Sequence, residues 1–396
     1  MGGRNRSSSM WSGTRLPRVL RRRAFLGVGV REAAVDLAVT RVTEGAMAAH
    51  AGLAAGDVIV AIDREAIASV AALGERLRGA RGSIVLSYVR LGARADVEVE
   101  VRECPRETLE GAVVRYGEAR HAELGARLRT IVTSPREGGA RPAILLVPGI
   151  ACASIDFGLT PGAPLAQLLR GWTERGLTTL RVERPGLGDS EGPPCAALDP
   201  RDELACYAAG LAALRDDPAV DRERIFVFGH SVGGMLAPLL GERLPALRGA
   251  IVYGTSARRW SRCLRDGIER QLALRGRAPE EIAARLARFD EEPFEERHGR
   301  TLAYHQALEA LELTEVWARA SMPALVVIGE HDWVVSEEEQ RAIAALARDA
   351  EVLPLEGLDH AFTMHASREA SLSALGAGAL HTRLAEETAR WVLARS

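Results

Sequence analysis

Lysine is absent from all 396 residues, so the 51 basic side chains are all arginine. This excludes chemistry that needs a primary amine: a Schiff base, a P-loop lysine or a serine-lysine dyad. Cysteine is scarce and scattered. Cys104, Cys152, Cys195, Cys206 and Cys263 are odd in number and form no CxxC pair or Cys/His cluster. Such spacing suggests neither a disulfide framework nor a structural zinc site, so no metal is expected and a reducing compartment fits best. A strong charge of either sign is also missing. The net charge of −2 gives no support for nucleic-acid or membrane binding by the chain as a whole.

No stretch reaches the roughly 18 apolar residues of a membrane span. Arg22-Arg23-Ala24-Phe25-Leu26 has the pattern of a twin-arginine export signal. The apolar stretch that should follow is broken by Arg31, Glu32 and Asp36, and no A-x-A site closes it. Export is therefore the weaker reading, and a cytoplasmic protein the stronger one.

What is present, 47% apolar and 26% charged residues, suits a globular chain of two domains. Residues 1–21, rich in Arg, Ser and Gly, read as a disordered basic arm. In residues 22–104, strand patterns over 35–40, 58–62 and 83–89 bracket a helical spacing over 70–77. Asp96 to Val101 alternates acid and valine, as a half-buried edge or hairpin strand requires. Phe25-Leu26-Gly27-Val28 and Ala51-Gly52-Leu53-Ala54-Ala55-Gly56-Asp57-Val58-Ile59 together resemble a small β-rich PDZ domain of the bacterial, protease-associated type. The resemblance implies that the loop at Phe25, Leu26, Gly27 and Val28 receives a peptide's terminal carboxylate. The next strand would then pair with that peptide by sheet-edge addition. The alternative is a groove that is empty or filled by the chain's own segments.

From residue 108 to 396, apolar strands alternate with helical patterns, the signature of a doubly wound, mainly parallel α/β sheet. Strands are read at 142–147, 178–183, 224–228, 249–253, 324–328 and 350–355, with helices over 164–172 and 202–214 and a closing amphipathic helix over 381–395. Residues 257–318 form a helix-rich insertion. Its apolar residues Trp260, Leu272, Leu274, Phe289, Phe294 and Trp317 either line an acyl pocket or hold the insertion to the core. Its arginines either meet an anionic substrate or form a solvated face.

Gly229-His230-Ser231-Val232-Gly233 sits where a strand pattern gives way to a helix pattern. Small flanking residues let the backbone turn sharply enough to expose the serine hydroxyl. Asp332 and His360 follow the last two strands. The order Ser231, Asp332, His360, with Pro148-Gly149 and the loop Arg184 to Ser190, resembles the α/β-hydrolase family over nearly the whole segment. Pro148 stands where that family commonly has a histidine. The resemblance implies a helical cap at 257–318, a serine nucleophile, and oxyanion donors from the N–H groups of Ile150 and Val232. Glu330 is the rival acid and His365 the rival base. His230 reads as a packing residue of the turn.

The activity so implied is cleavage of an ester, thioester or amide through an acyl-Ser231 intermediate, without cofactor, on a small acyl substrate or peptide. Acyl transfer with the same residues, or a PDZ adaptor carrying an inactive hydrolase domain, are the alternatives.

Overall fold

A computed structural model describes residues 20–33, 36–244, 246–296 and 298–395. The arm expected over residues 1–21 lies outside the described residues up to residue 19. Leu20 is already buried, and its N–H donates to Glu118 Oε2 at 2.8 Å.

The first sheet contains β1 (Val28–Ala33), β2 (Asp36–Val42), β3 (Val58–Ile62), β4 (Glu65–Ala66), β5 (Ser83–Arg90) and β6 (Ala93–Glu100), all paired antiparallel. Its order is β1-β2-β3-β5-β6, with β4 against β3, so β1 is an edge strand. Helices α1 (Met47–His50) and α2 (Val70–Gly79) cover a core that includes Leu37, Met47, Ile59, Leu73 and Leu86. Ser69 caps α2 by accepting from Ala72 N–H.

The second sheet has eight strands: β7 (Ala112–His121), β8 (Ala126–Pro135), β9 (Arg141–Val147), β10 (Thr178–Val182), β11 (Val220–His230), β12 (Leu247–Tyr253), β13 (Ala324–Gly329) and β14 (Ala350–Leu355). Their order is β14-β13-β12-β11-β9-β10-β8-β7. The strands from β14 to β10 run parallel, while β8 pairs antiparallel with both β10 and β7. Because both faces are covered, the central strands β9, β12 and β13 are nearly continuous apolar runs rather than alternating. Along β9 and β11, Ile144, Leu146, Phe226 and Phe228 face a layer with α3 (Pro164–Glu174) and α12 (Thr382–Ala394). Leu145, Val147, Ile225 and Val227 face α4 (Pro200–Leu214), α5 (Val232–Arg243) and α10 (Glu337–Leu346).

Between β12 and β13 the chain leaves the sheet as α6 (Trp260–Leu274), α7 (Pro279–Glu291), α8 (Leu302–Glu309) and α9 (Leu313–Arg319). Trp260 and Trp317 pack into the sheet's core, and Phe294 lies against it, so these aromatics hold the insertion down. Most of its arginines form ion pairs, such as Arg258 with Asp266 and Arg259 with Glu312. The helix α11 (Arg368–Ala374) lies between β14 and α12.

The two sheets are joined through the arginine pair read as an export pattern. Arg22 Nη1 pairs with Asp156 and lies 2.7 Å from Asp189, its Nη2 donates to Pro105 O at 2.7 Å, and its guanidinium covers the Tyr116 ring. Arg23 N–H donates to Asp189 Oδ1 at 2.9 Å. Burial opposes the Arg22 charge, but the two carboxylates outweigh it and raise the guanidinium's pKa.

The cysteine expectation needs correction. Cys152 and Cys195 form a disulfide, their Cα atoms 5.8 Å apart across a separation of 43 residues. Neither residue lies in a short motif; the fold brings together the loop after β9 and the one after β10. Disulfides persist in oxidising compartments, so the cysteines no longer support a reducing one. Among the described residues no helix is long and apolar enough to cross a membrane.

Candidate active site

Strand β11 delivers Ser231 into a turn with φ 54° and ψ −123°, a conformation that L-residues rarely adopt and that costs roughly 1–3 kcal/mol. Two features hold it there. Ser231 N–H donates to Tyr253 O at 2.9 Å, and α5 begins at the next residue. The flanking glycines are required by close approach: a Cβ on Gly233 would lie 2.0 Å from Val147 O, and one on Gly229 would lie 2.5 Å from Gly233 O. Val232 is the first residue of α5, where N–H groups have no intrahelical acceptor and the helix dipole favours an anion. Gly149 lies against the serine, its Cβ position 3.2 Å from Ser231 Cβ, which places Ile150 beside the elbow.

Asp332 and His360 meet as the spacing along the chain requires. His360 Nδ1 lies 3.0 Å from Asp332 Oδ2 and 3.2 Å from Oδ1. The Asp332 carboxylate is fully buried and also accepts from the N–H groups of Val334 at 2.8 Å and Val335 at 2.9 Å. Burial works against its charge, but attraction to His360 and these hydrogen bonds outweigh it and hold its pKa below the ordinary carboxylate value. A ring that donates from Nδ1 leaves Nε2 as the acceptor, which is the tautomer a general base needs. The turn bearing Asp332 is fixed further on by a capping box, Ser336 with Glu339, at the start of α10.

The rivals are placed elsewhere. Glu330 is exposed, and its Oε2 accepts from Gly357 N–H at 2.8 Å. Glu330→Gln keeps an acceptor at that point, so kcat/KM for an ester should stay within about twofold of wild type in a steady-state assay. His365 Nε2 lies 2.9 Å from Thr363 Oγ1 and 3.4 Å from Asp359 Oδ2, away from Asp332.

Several residues without a sequence signal support the pair. His230, inside the elbow, donates from Nε2 to His360 O at 2.9 Å and packs between Tyr253 and Phe362. Burial foremost, with electrostatic repulsion between the two imidazoles, lowers its pKa to about 3, which favours the neutral ring. Tyr253 donates its hydroxyl to Asp359 O. The buried Asp359 carboxylate accepts from Ala361 N–H at 2.9 Å, Thr363 N–H at 2.8 Å and Ser371 Oγ at 2.7 Å, shaping the loop that carries His360. Gly254, with φ 59°, admits the imidazole, since a Cβ there would sit 2.9 Å from the ring.

Among the described residues no group of three or more His, Cys, Asp and Glu is placed to hold a metal. His50, His121 and His381 bond to backbone carbonyls, and His305 Nδ1 lies 3.0 Å from Trp260 Nε1. In the first domain, Phe25 N–H donates to Arg102 O, while Gly27 O and Leu26 O accept from Thr43 and Ala48.

Residues 144–372, more than half of the chain, match the model of the alpha/beta hydrolase family. The chain belongs to the α/β-hydrolase family. Residues 38–90 match the PDZ domain model, in agreement with the small antiparallel sheet. Esterase EstD of Thermotoga maritima is 24% identical over 270 residues, 66% of this α/β-hydrolase chain. The chain spans 64% of that relative's length. Among solved structures, DcsB with a substrate analogue has a TM-score of 0.51 at 19% identity, over 72% of this chain and 99% of its own. Est1E from Butyrivibrio proteoclasticus with ferulic acid has a TM-score of 0.50 at 16% identity, over 70% and 99%. At these identities the structural likeness speaks for the fold.

Proposed function

We propose that this α/β-hydrolase chain is a serine esterase that works through an acyl-Ser231 intermediate. The observation that carries the reading is the pairing of His360 with the buried Asp332 carboxylate, together with a serine held at positive φ at a strand-to-helix turn. Ser231 Oγ attacks the ester carbonyl carbon while its proton passes to His360 Nε2. Asp332 keeps Nδ1–H in place and stabilises the imidazolium. The N–H groups of Ile150 and Val232 receive the oxyanion. When the carbon–oxygen bond breaks, the leaving alcohol takes the proton from His360. Water then attacks the acyl-serine by the reverse proton path and releases the acid. The relative named as an esterase favours an ester over a thioester or amide.

The PDZ domain, in this proposal, takes a peptide C-terminus at Phe25, Leu26, Gly27 and Val28. What supports it is the edge position of β1, with which no strand of the described residues other than β2 pairs.

A fluorophosphonate probe tests the chemistry. Mass spectrometry should find the adduct on the peptide containing Ser231 in the wild type and none in Ser231→Ala. A folded wild type that takes no label, or takes it on another serine, overturns the reading and leaves a non-catalytic PDZ adaptor. Product analysis with added alcohols then separates hydrolysis from acyl transfer.

A further inference from the structure

The loop that follows β9 is held from behind by three buried charged side chains. Arg184 Nη1 donates to Gly149 O at 3.1 Å, and its Nη2 donates to Ala151 O. Arg300, which enters from the insertion between α7 and α8, donates from Nε to Ile150 O at 2.8 Å and from Nη1 to Cys195 O at 2.6 Å. Glu203 of α4 joins them, 3.2 Å from Arg184 Nη1 and paired with Arg300 Nη2. All three side chains are almost completely buried. Three consecutive carbonyls, Gly149 to Ala151, are thus each bound by a guanidinium.

A trans peptide is planar, and its C=O and N–H point in opposite directions. A carbonyl of residue 149 fixed toward Arg184 therefore aims the N–H of Ile150 away from Arg184. Fixing the carbonyl of Ile150 toward Arg300 orients the next N–H in the same manner. Burying two guanidiniums with one carboxylate is expensive, and apolar residues of similar volume often stabilise a core as well or better. A site that keeps these charges uses their geometry. The forked guanidinium suits the task because one rigid plane can bind several acceptors.

We infer that Arg184, Glu203 and Arg300 are positioning residues for the oxyanion site, and that Arg300 makes its alignment depend on the seating of the cap. This rests on the acyl-Ser231 reading and on Ile150 as an oxyanion donor. Only an open N–H aimed at the developing charge helps the transition state; a misaimed one does not. The Cys152–Cys195 disulfide ties the same loop, one residue beyond Ala151, to the segment whose Cys195 O accepts from Arg300. Arg300 therefore binds both of the segments that the crosslink joins, at Ile150 O and Cys195 O. The insertion's arginines were open to two readings, substrate contact or solvated face; Arg300 fits neither.

Arg300→Met is the decisive variant, because Glu203 keeps Arg184 as its partner. Its kcat for an ester should fall by about 10- to 100-fold, less than the loss of a whole donor, with KM within about twofold of wild type. The affinity for a trifluoromethyl ketone, whose serine adduct carries an oxyanion, should weaken by the same factor as kcat/KM. Arg300→Lys keeps the charge facing Glu203 but not the fork, and should recover only part of kcat. If Arg300→Met does not melt cooperatively, the kcat and ketone affinity of Arg300→Lys decide. A folded variant with wild-type kcat, or with its loss confined to KM, overturns the inference. Fluorophosphonate labelling of wild-type Ser231 is the separate control: its absence defeats the acyl-enzyme reading, whereas labelling with an unaffected Arg300 variant defeats only the positioning role.

Discussion

Exchanging Asp332 for asparagine should lower kcat/KM for an ester by about 10⁴-fold while leaving the fold intact, as expected when a triad loses its orienting acid. The carboxylate accepts from His360 Nδ1–H, so the ring's Nε2 is free to take the serine proton. Asparagine can present an N–H there instead, which stabilises the opposite tautomer and gives the imidazolium no counter-charge. The depressed pKa of Asp332 works in the same direction: the carboxylate stays ionised well below neutral pH, so its orienting charge is present wherever the protein would be assayed. The Val334 and Val335 N–H groups that also bond Oδ1 keep the side chain in place in either variant. Steady-state kinetics across the neutral range, together with a melting curve, checks the prediction. An Asp332→Asn enzyme within tenfold of wild type would remove Asp332 from the mechanism. Glu330→Gln, by contrast, changes an exposed residue that anchors Gly357 and lies 3.7 Å from His331 Nε2.

The candidate site was legible in the chain because its residues sit at strand ends. Ser231, Asp332 and His360 each follow an apolar run that ends in a turn, and the parallel strands β11, β13 and β14 deliver them to the same end of the sheet. A residue type placed after a strand is a local pattern. The PDZ segment was readable for the same reason, since its turns carry glycine where the backbone needs it. The β7–β8 hairpin went unread. Strand β8 buries Arg129, Thr130, Thr133 and Ser134 alongside Leu128 and Ile131, so polar and apolar residues do not sort by face. Arg129 is tolerated there because Asp189 lies 3.0 Å away, on a loop 60 residues further along. No period reveals a partner at that distance.

The same limit explains the other surprises. Arg22 and Arg23 read as a targeting pattern because the sequence shows their charge but not Asp156 and Asp189, which receive it. Cys152 and Cys195 looked unpaired because disulfide geometry is a property of two loops and not of spacing. Arg300 lies in an insertion full of arginines, most of them in surface ion pairs, and only its bonds to the carbonyls of Ile150 and Cys195 distinguish it. Candidate residues that follow strands show in a local pattern; the side chains that hold the neighbouring loops show only in coordinates.

His230 leads to the second large prediction, a pH dependence of stability that one substitution should remove. The His360 carbonyl can only accept, so His230 Nε2 must carry a proton and donate to it. Burial beside His360 holds the ring neutral, with a pKa of about 3 against an ordinary value of 6.5. Between those values the unfolded chain takes up a proton that the native state refuses. The native state is therefore fully favoured above pH 6.5 and loses stability as pH falls toward 3. Each pH unit in that window removes about 1.4 kcal/mol, so the total by pH 4 is on the order of a few kcal/mol. His230→Gln offers an amide N–H near the place of Nε2 and cannot titrate. Urea unfolding from pH 7.5 to 4 should show the wild type losing midpoint faster than His230→Gln, the two curves converging in slope above pH 6.5. Asp359 faces the same site in both proteins; His360 and Asp332 act directly on the His230 charge, so their coupling to it is part of the difference measured. Parallel curves would show that the ring accepts its proton in the native state, and that the bond to His360 O does not depend on a neutral His230.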